Sequence, residues 1–368
     1  MFKIPISKPN LTQQDFLEIK KCFDSSWISS KSPWVEKFEN SFAKHVAKTK
    51  YATSVNSGTS GLFLALKALR VGPGDEVILP TLTMIATVNA ITLTGAKPVL
   101  VDSASKDDWN INPDKIAEKI SKKTKVIMPV HLYGYPCDME AINSLARKYK
   151  LFVIEDAAEA MGAVYKGRFV GSLSDVSCFS LYSNKIITTG NGGIVCTNNK
   201  KIYGLINKLK FFDYNSETHF RHKIIGYNMV LSSLQAALGL SQTKSFVKCL
   251  KKRRQIFSWY KKALNHTDLK FINPDKDSLP NYWFPTIVAK NKLSKTKTAR
   301  ALTENFIETR EFFLPIHLQP AYKNDYSKEH YPVAEYFFER GLLLPSYYNL
   351  MNYQVVNICR IILRSLVN

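Results

Sequence analysis

The chain contains no Cys-x-x-Cys pair: its six cysteines, Cys22, Cys137, Cys178, Cys196, Cys249 and Cys359, stand singly along 368 residues. That spacing argues against a disulfide framework and a zinc knuckle, so the thiols are read as reduced and mostly buried. Apolar runs of membrane-spanning length are missing. The opening Met1-Phe2-Lys3-Ile4-Pro5 leads into polar sequence without the apolar stretch of a signal peptide, and the chain is read as soluble and cytoplasmic. Acidic residues are scarce, 30 against 51 Lys and Arg, which leaves a net charge of +21. A charge of that size suits nucleic acid, an anionic surface or phosphorylated small molecules. The lysines gather in Ser121-Lys122-Lys123-Thr124-Lys125 and in residues 248–254 and 290–300, with no aromatic-interleaved RNA motif or recognition-helix signature beside them. A solvated basic face is the favoured reading, and nucleic acid is not an expected partner.

What is present is alternation. With 45% hydrophobic residues the chain can bury a substantial core and divide into two or three domains. Apolar runs at 51–55, 76–79, 98–101, 126–130, 151–154 and 176–181 read as strands, and helical patterns at 61–70, 87–93, 113–120 and 139–148 separate them. Strands alternating with helices of this length predict an α/β fold with a mostly parallel sheet covered on both faces. The rhythm weakens after about Leu240, where a basic helical stretch at 246–264 precedes a mixed region around Trp283-Phe284-Pro285-Thr286-Ile287-Val288. This predicts a large domain over 1–245 and a smaller α+β domain over 246–368, with some N-terminal residues packing on the smaller part.

In parallel α/β sheets ligands collect beyond the carboxyl ends of strands, and three such ends carry chemistry here. Asn56-Ser57-Gly58-Thr59-Ser60-Gly61 leads from a strand into a helix, where free backbone N–H groups favour a phosphate, although a simple N-cap reads the same way. It has neither the lysine of a Walker loop nor the glycine spacing of a dinucleotide fingerprint. Glu155-Asp156-Ala157-Ala158-Glu159 follows an apolar strand; a carboxylate there can keep a buried cationic ring protonated, or it can cap the next helix. Between a strand and a Thr/Gly-rich turn stands Lys185, in Ser180-Leu181-Tyr182-Ser183-Asn184-Lys185-Ile186-Ile187-Thr188-Thr189-Gly190. Partial desolvation would lower the pKa of such an amine and fit it to form a Schiff base, although most lysines are solvated surface residues and composition alone does not single this one out.

Taken in this order, these segments resemble the sugar aminotransferases of the DegT/DnrJ/EryC1/StrS family. The likeness runs through nearly the whole chain, including Gly72-Pro73-Gly74-Asp75-Glu76, Pro129-Val130-His131-Leu132-Tyr133-Gly134, Gly226-Tyr227-Asn228 and Pro315-Ile316-His317-Leu318-Gln319-Pro320. The resemblance implies the type I pyridoxal-phosphate transferase fold. It implies that Lys185 carries the cofactor, that Asp156 pairs with its ring nitrogen and that Glu159 lies near its phenolic oxygen. Thr59, Ser60 and Ser180 would hold its phosphate, and Met84 would pack on the ring face. Asn228 would reach the phosphate of a neighbouring subunit, which predicts a homodimer with shared active sites.

Two positions depart from the family pattern: Asn191 stands where glutamate is usual, and Val230 where arginine is usual. Relatives that remove a hydroxyl carry histidine at the lysine position, so Lys185 points to nitrogen transfer. The run 108–112 and Arg310 to His317 look most like perosamine-synthase-like members, which take an amino group from glutamate and place it on carbon 4 of a GDP-linked 4-keto-6-deoxyhexose. Viosamine-forming relatives use dTDP- or UDP-linked sugars. Arg310 and His317 are candidate substrate contacts, for which ordinary surface and core roles stay equally open. The alternative of another class is a catalytically silent regulatory or nucleic-acid-binding homologue, against which the coexistence of Lys185 and Asp156 argues.

Overall fold

A computed structural model describes residues 2–214 and 221–367. Seven strands build the main sheet: β1 (Tyr51–Val55), β2 (Glu76–Pro80), β3 (Lys97–Val101), β4 (Thr124–Ile127), β5 (Phe152–Asp156), β6 (Val176–Ser180) and β7 (Gly193–Thr197). Their order across the sheet is β1-β7-β6-β5-β4-β2-β3. Strands β3, β2, β4, β5 and β6 are parallel, in registers such as Ile78 with Val99 and with Ile127, and Ile154 with Val176. The exception is β7, antiparallel to both neighbours, with Gly193 opposite Ser180 on one side and Val55 on the other. Only residues 181–192 join β6 to β7, and they contain no helix that could carry the chain over the sheet, so the strand returns antiparallel beside its predecessor. The expected parallel sheet therefore stands, with one strand reversed by the loop that carries Lys185.

All five residues of β7 and four of the five in β2 are buried, as strands covered on both faces require. The helix Gly58–Ala68 shows the same double cover, with Leu62, Phe63, Leu64, Ala65 and Leu66 all buried although they span more than one turn. Such a helix cannot lie on an open surface. Ser57 starts it, its Oγ accepting from the Ser60 N–H at 3.1 Å. All six cysteines are buried and unpaired.

A second hydrophobic cluster joins Ile256, Phe257, Tyr260, Leu302, Leu342, Ile358 and Ile362, with Ile4 from the start of the chain among them. It backs a three-stranded antiparallel sheet of Thr286–Val288, Gly341–Leu343 and Arg310–Glu311. Ile4 forms a parallel bridge with Ile307. The helix Ser233–Leu264, opened by a Ser232–Gln235 capping box, runs through position 245 without interruption. Its first half packs on the N-terminal helices and its last turns enter the second cluster, making it a shared strut. Among the described residues no helix is long and apolar enough to cross a membrane.

Candidate active site

Because β1, β2, β5 and β6 run in one direction, their carboxyl ends share one edge of the sheet. A cavity of about 330 Å³ opens there, lined by Thr59, Met84, Asp156, Glu159, Ser180, Lys185 and Arg310 together with Thr87, Asn184, Asn191, Trp283 and Phe313. That volume is at the lower end for small-molecule sites. Seven of the ten residues singled out from the sequence thus line one cavity.

Asp156 ends β5 and is buried. Its Oδ2 accepts from the Thr87 hydroxyl at 2.8 Å and its Oδ1 from the Ala158 N–H at 3.1 Å. The single Thr87 proton is committed to the carboxylate, so the Thr83 hydroxyl, 3.0 Å away, donates to Thr87. Among the described residues Asp156 makes no ion pair within 4.0 Å, and burial holds its pKa above the usual carboxylate range against the pull of those hydrogen bonds. Glu159 is buried one turn further on, its Oε2 accepting the Tyr133 N–H at 2.8 Å, and burial pushes its pKa up to about 7.

Lys185 lies in the β6–β7 loop with its Nζ 3.9 Å from Glu159 Oε1 and 3.6 Å from the centroid of the Trp283 ring. Burial brings its pKa down to about 8; Glu159 and Asp156 oppose that fall, while Arg253 and Arg310 add to it. The lowered pKa leaves more of the amine neutral near pH 7 than in an ordinary lysine. Two carboxylates, both with pKa values raised by burial, and one amine with a lowered pKa therefore share a desolvated pocket.

One corner of the cavity is set by close backbone approach. A Cβ on Gly193 would sit 2.4 Å from the Ser57 carbonyl oxygen, so only glycine lets the start of the Gly58–Ala68 helix rest on β7. A Cβ on Gly58 would meet that of Ser180 at 3.3 Å. The first N–H groups of this helix have no carbonyl one turn earlier, and with the hydroxyls of Thr59 and Ser180 they form a donor set for an anion. Ser60 does not line the cavity; its hydroxyl is 2.8 Å from that of Ser57 and belongs to the cap.

Asn228 and His317 lie elsewhere. Asn228 is exposed and outside its own chain's cavity, in a bridge with Phe211. His317 is buried away from the cavity, with Nδ1 2.8 Å from the Thr81 hydroxyl and Nε2 3.0 Å from Glu335, so both nitrogens are occupied by the fold. Arg310 stands half-exposed at the cavity's edge, 3.5 Å from Glu308. Asn191 lines the cavity, and its Oδ1 accepts the Gly192 N–H at 3.0 Å while Gln235 donates to its backbone carbonyl at 2.7 Å. These two bonds close the turn with asparagine at position 191. Glu155, adjacent to Asp156, turns to the opposite side and accepts from the N–H groups of Gly171 and Leu173 and from Ser174 Oγ. His131 accepts the Cys137 N–H on Nδ1, so it is Nε2 that donates to Glu155 at 3.1 Å. The sequence reading missed Thr87 and Trp283. Thr83 and Thr87, four apart and straddling a helix start, carried a local signal for the first; nothing local marked the second.

Fold and site define a type I pyridoxal-phosphate transferase. The chain matches the DegT/DnrJ/EryC1/StrS aminotransferase family over residues 9–363. It is 44% identical to GDP-perosamine synthase from Escherichia coli O157:H7 over 97% of this chain and 96% of that one. It is 37% identical to GDP-perosamine synthase from Caulobacter vibrioides over 95% and 94% of the two chains. The putative sugar aminotransferase Spr1654 from Streptococcus pneumoniae, in its PMP-form, superposes with a TM-score of 0.93 at 26% identity, covering 99% of this chain and 98% of that one. The chain belongs to the DegT/DnrJ/EryC1/StrS family and is a pyridoxal-phosphate-dependent aminotransferase. Its residues fit that cofactor. The buried amine suits an aldehyde, the glycine-lined helix start suits a phosphate, and a buried carboxylate with donors but no cation in contact suits a protonated ring nitrogen.

Proposed function

We propose that this chain transfers an amino group from glutamate to the 4-keto carbon of a GDP-linked 4-keto-6-deoxyhexose. The carrying observation is the 44% identity to a GDP-perosamine synthase across nearly the full length of both chains. When bound, pyridoxal phosphate supplies an electron sink and a temporary carrier for the nitrogen. In this reading Lys185 holds the cofactor, Asp156 pairs with the ring nitrogen, and Glu159 faces the phenolic oxygen. Thr59 and Ser180, with Ser60 steadying the helix cap, hold the phosphate, while Met84 covers the ring face. Displaced by the amino donor, Lys185 becomes the group that takes and returns a proton at the substrate carbon; its lowered pKa of about 8 suits both directions of that transfer. Arg310 at the cavity's edge offers a cation to an anionic substrate.

The exposed position of Asn228 supports a homodimer in which it completes the partner's phosphate site. Six unpaired thiols support a reducing, cytoplasmic setting. Incubation with glutamate and a panel of GDP-, UDP- and dTDP-linked 4-keto-6-deoxy sugars, followed by mass spectrometry, tests the reading. The amino sugar should appear with the GDP substrate. Exclusive turnover of the UDP or dTDP sugars would replace it with a viosamine-type activity, and no turnover with any sugar or donor would remove it. Lys185→Ala should abolish both transfer and the absorption of lysine-bound cofactor.

A further inference from the structure

Trp283 comes from the second part of the fold, yet among the described residues it is the aromatic ring whose face meets the Lys185 amine. It is buried, its indole Nε1–H donates to the Asn184 carbonyl at 3.0 Å, and its ring centroid lies 3.6 Å from Lys185 Nζ. Behind it, Arg253 donates to the backbone carbonyls of Trp283, at 3.0 Å, and of Ser346. Arg253 is buried, and among the described residues it makes no ion pair within 4.0 Å. Its hydrogen bonds go to carbonyls, so it serves to lock the Trp283 backbone to the Ser233–Leu264 helix. The indole is thus held at both ends, by Arg253 through its carbonyl and by Asn184 through its ring nitrogen, with one face left for the lysine.

We infer that Trp283 is a positioning residue that docks the Lys185 ammonium on its ring face whenever the lysine is not joined to the cofactor. The inference rests on the reading of Lys185 as the cofactor lysine. An aminotransferase frees that lysine in the middle of each cycle, and the freed group must stay close to the reacting carbon to act as acid and base. The free lysine in this structure has two attractive surfaces: the Glu159 carboxylate at 3.9 Å, and the indole face, whose negative quadrupole attracts a cation most strongly when water is excluded. The other charged groups bearing on it are Asp156, which favours the ammonium, and Arg253 and Arg310, which oppose it. The ring adds a cation site that does not compete for the proton, as a carboxylate would.

The test titrates Lys185 directly in cofactor-free protein by NMR of ε-carbon-labelled lysine, assigning its resonance by its loss in Lys185→Ala. Trp283 is replaced by tryptophan carrying two, three and four ring fluorines, which weaken the negative face while keeping the indole N–H and shape. The expected result is a stepwise fall of the Lys185 midpoint, totalling roughly one pH unit. Trp283→Leu should move it at least as far, and Trp283→Phe, which keeps a ring but loses the bond to Asn184, should move it less. A midpoint unchanged across the fluorine series, or one that rises towards an ordinary lysine, would overturn the inference even if Trp283→Leu fails to fold. Failure of the parent reading shows separately, as normal cofactor capture by Lys185→Ala.

Discussion

Substituting Thr87 with Val tests how the fold keeps Asp156 ionised. Thr87 is fully buried and Val matches its shape, so the change removes one hydroxyl: the donor 2.8 Å from Asp156 Oδ2. A hydrogen bond to a charged group contributes about 1.5–3 kcal/mol, which corresponds to about one to two pKa units. Asp156 already sits above the ordinary carboxylate range through burial, and losing a bond that favours the ionised form pushes it higher. The sign follows. A carboxyl whose folded pKa exceeds its unfolded one binds a proton more readily when folded, so it costs stability once pH rises above the unfolded value, and the full cost is present above the folded value. Cofactor-free Thr87→Val should therefore lose about 1.5–3 kcal/mol above the folded pKa of Asp156 and show no such loss below the unfolded one.

Cofactor affinity carries the second signature, because a ring cation needs the carboxylate. Below the Asp156 midpoint, affinity should fall about tenfold per pH unit, and in the variant that fall should begin one to two units higher. Fluorescence titrations with pyridoxal phosphate across pH should then give curves that separate towards the acidic end and converge towards the basic end. Thr87→Ser, which restores a hydroxyl, should recover most of the difference. Parallel wild-type and Val profiles would refute the proposed pairing of Asp156 with the ring.

Capture of pyridoxal phosphate by Lys185 should accelerate with pH and level off above about 8, after division by the profile of a free lysine derivative; a rise that continues to pH 10 would mean an ordinary amine. Glu159→Gln removes a charge 3.9 Å from Nζ that favours the ammonium, so the same levelling should occur at lower pH. Gly193→Ala should cost most of the cofactor affinity with little change in overall fold, since the new methyl displaces the Ser57–Gly58 backbone. Glu155→Ala leaves His131 and the 171–174 turn without their acceptor and should destabilise by about 3–5 kcal/mol in urea unfolding; a loss under 1 kcal/mol would deny Glu155 its structural role.

Much of the site was legible because its pieces are local. A strand's apolar run announces its own end, and the residues just past it, Ser57 to Ser60, Asp156 and Lys185, read as candidates before any contact was known. The same local reading explains the near agreement of strand positions such as 76–79 with Glu76–Pro80 and 151–154 with Phe152–Asp156. It held no physical reason for Asp156 to face the cavity in place of Glu155. Alternation along a strand sends adjacent side chains to opposite faces, and which face met the cavity depended on the neighbours. His317 illustrates the converse: a histidine in a recognisable segment, whose two nitrogens Thr81 and Glu335 occupy from distant parts of the chain.

The sequence by itself determined the alternation of strands and helices, the loop lengths that forced β7 to run backwards, and the residue types able to bind an aldehyde, a phosphate and a cationic ring. Only the tertiary structure decided the proton states and the company those groups keep. Desolvation, and the approach of Thr87 and Trp283 from segments 69 and 98 positions away from the residues they serve, are properties of packed space. A one-dimensional pattern records which groups exist; how far each stands from water and from the others is fixed when the layers close.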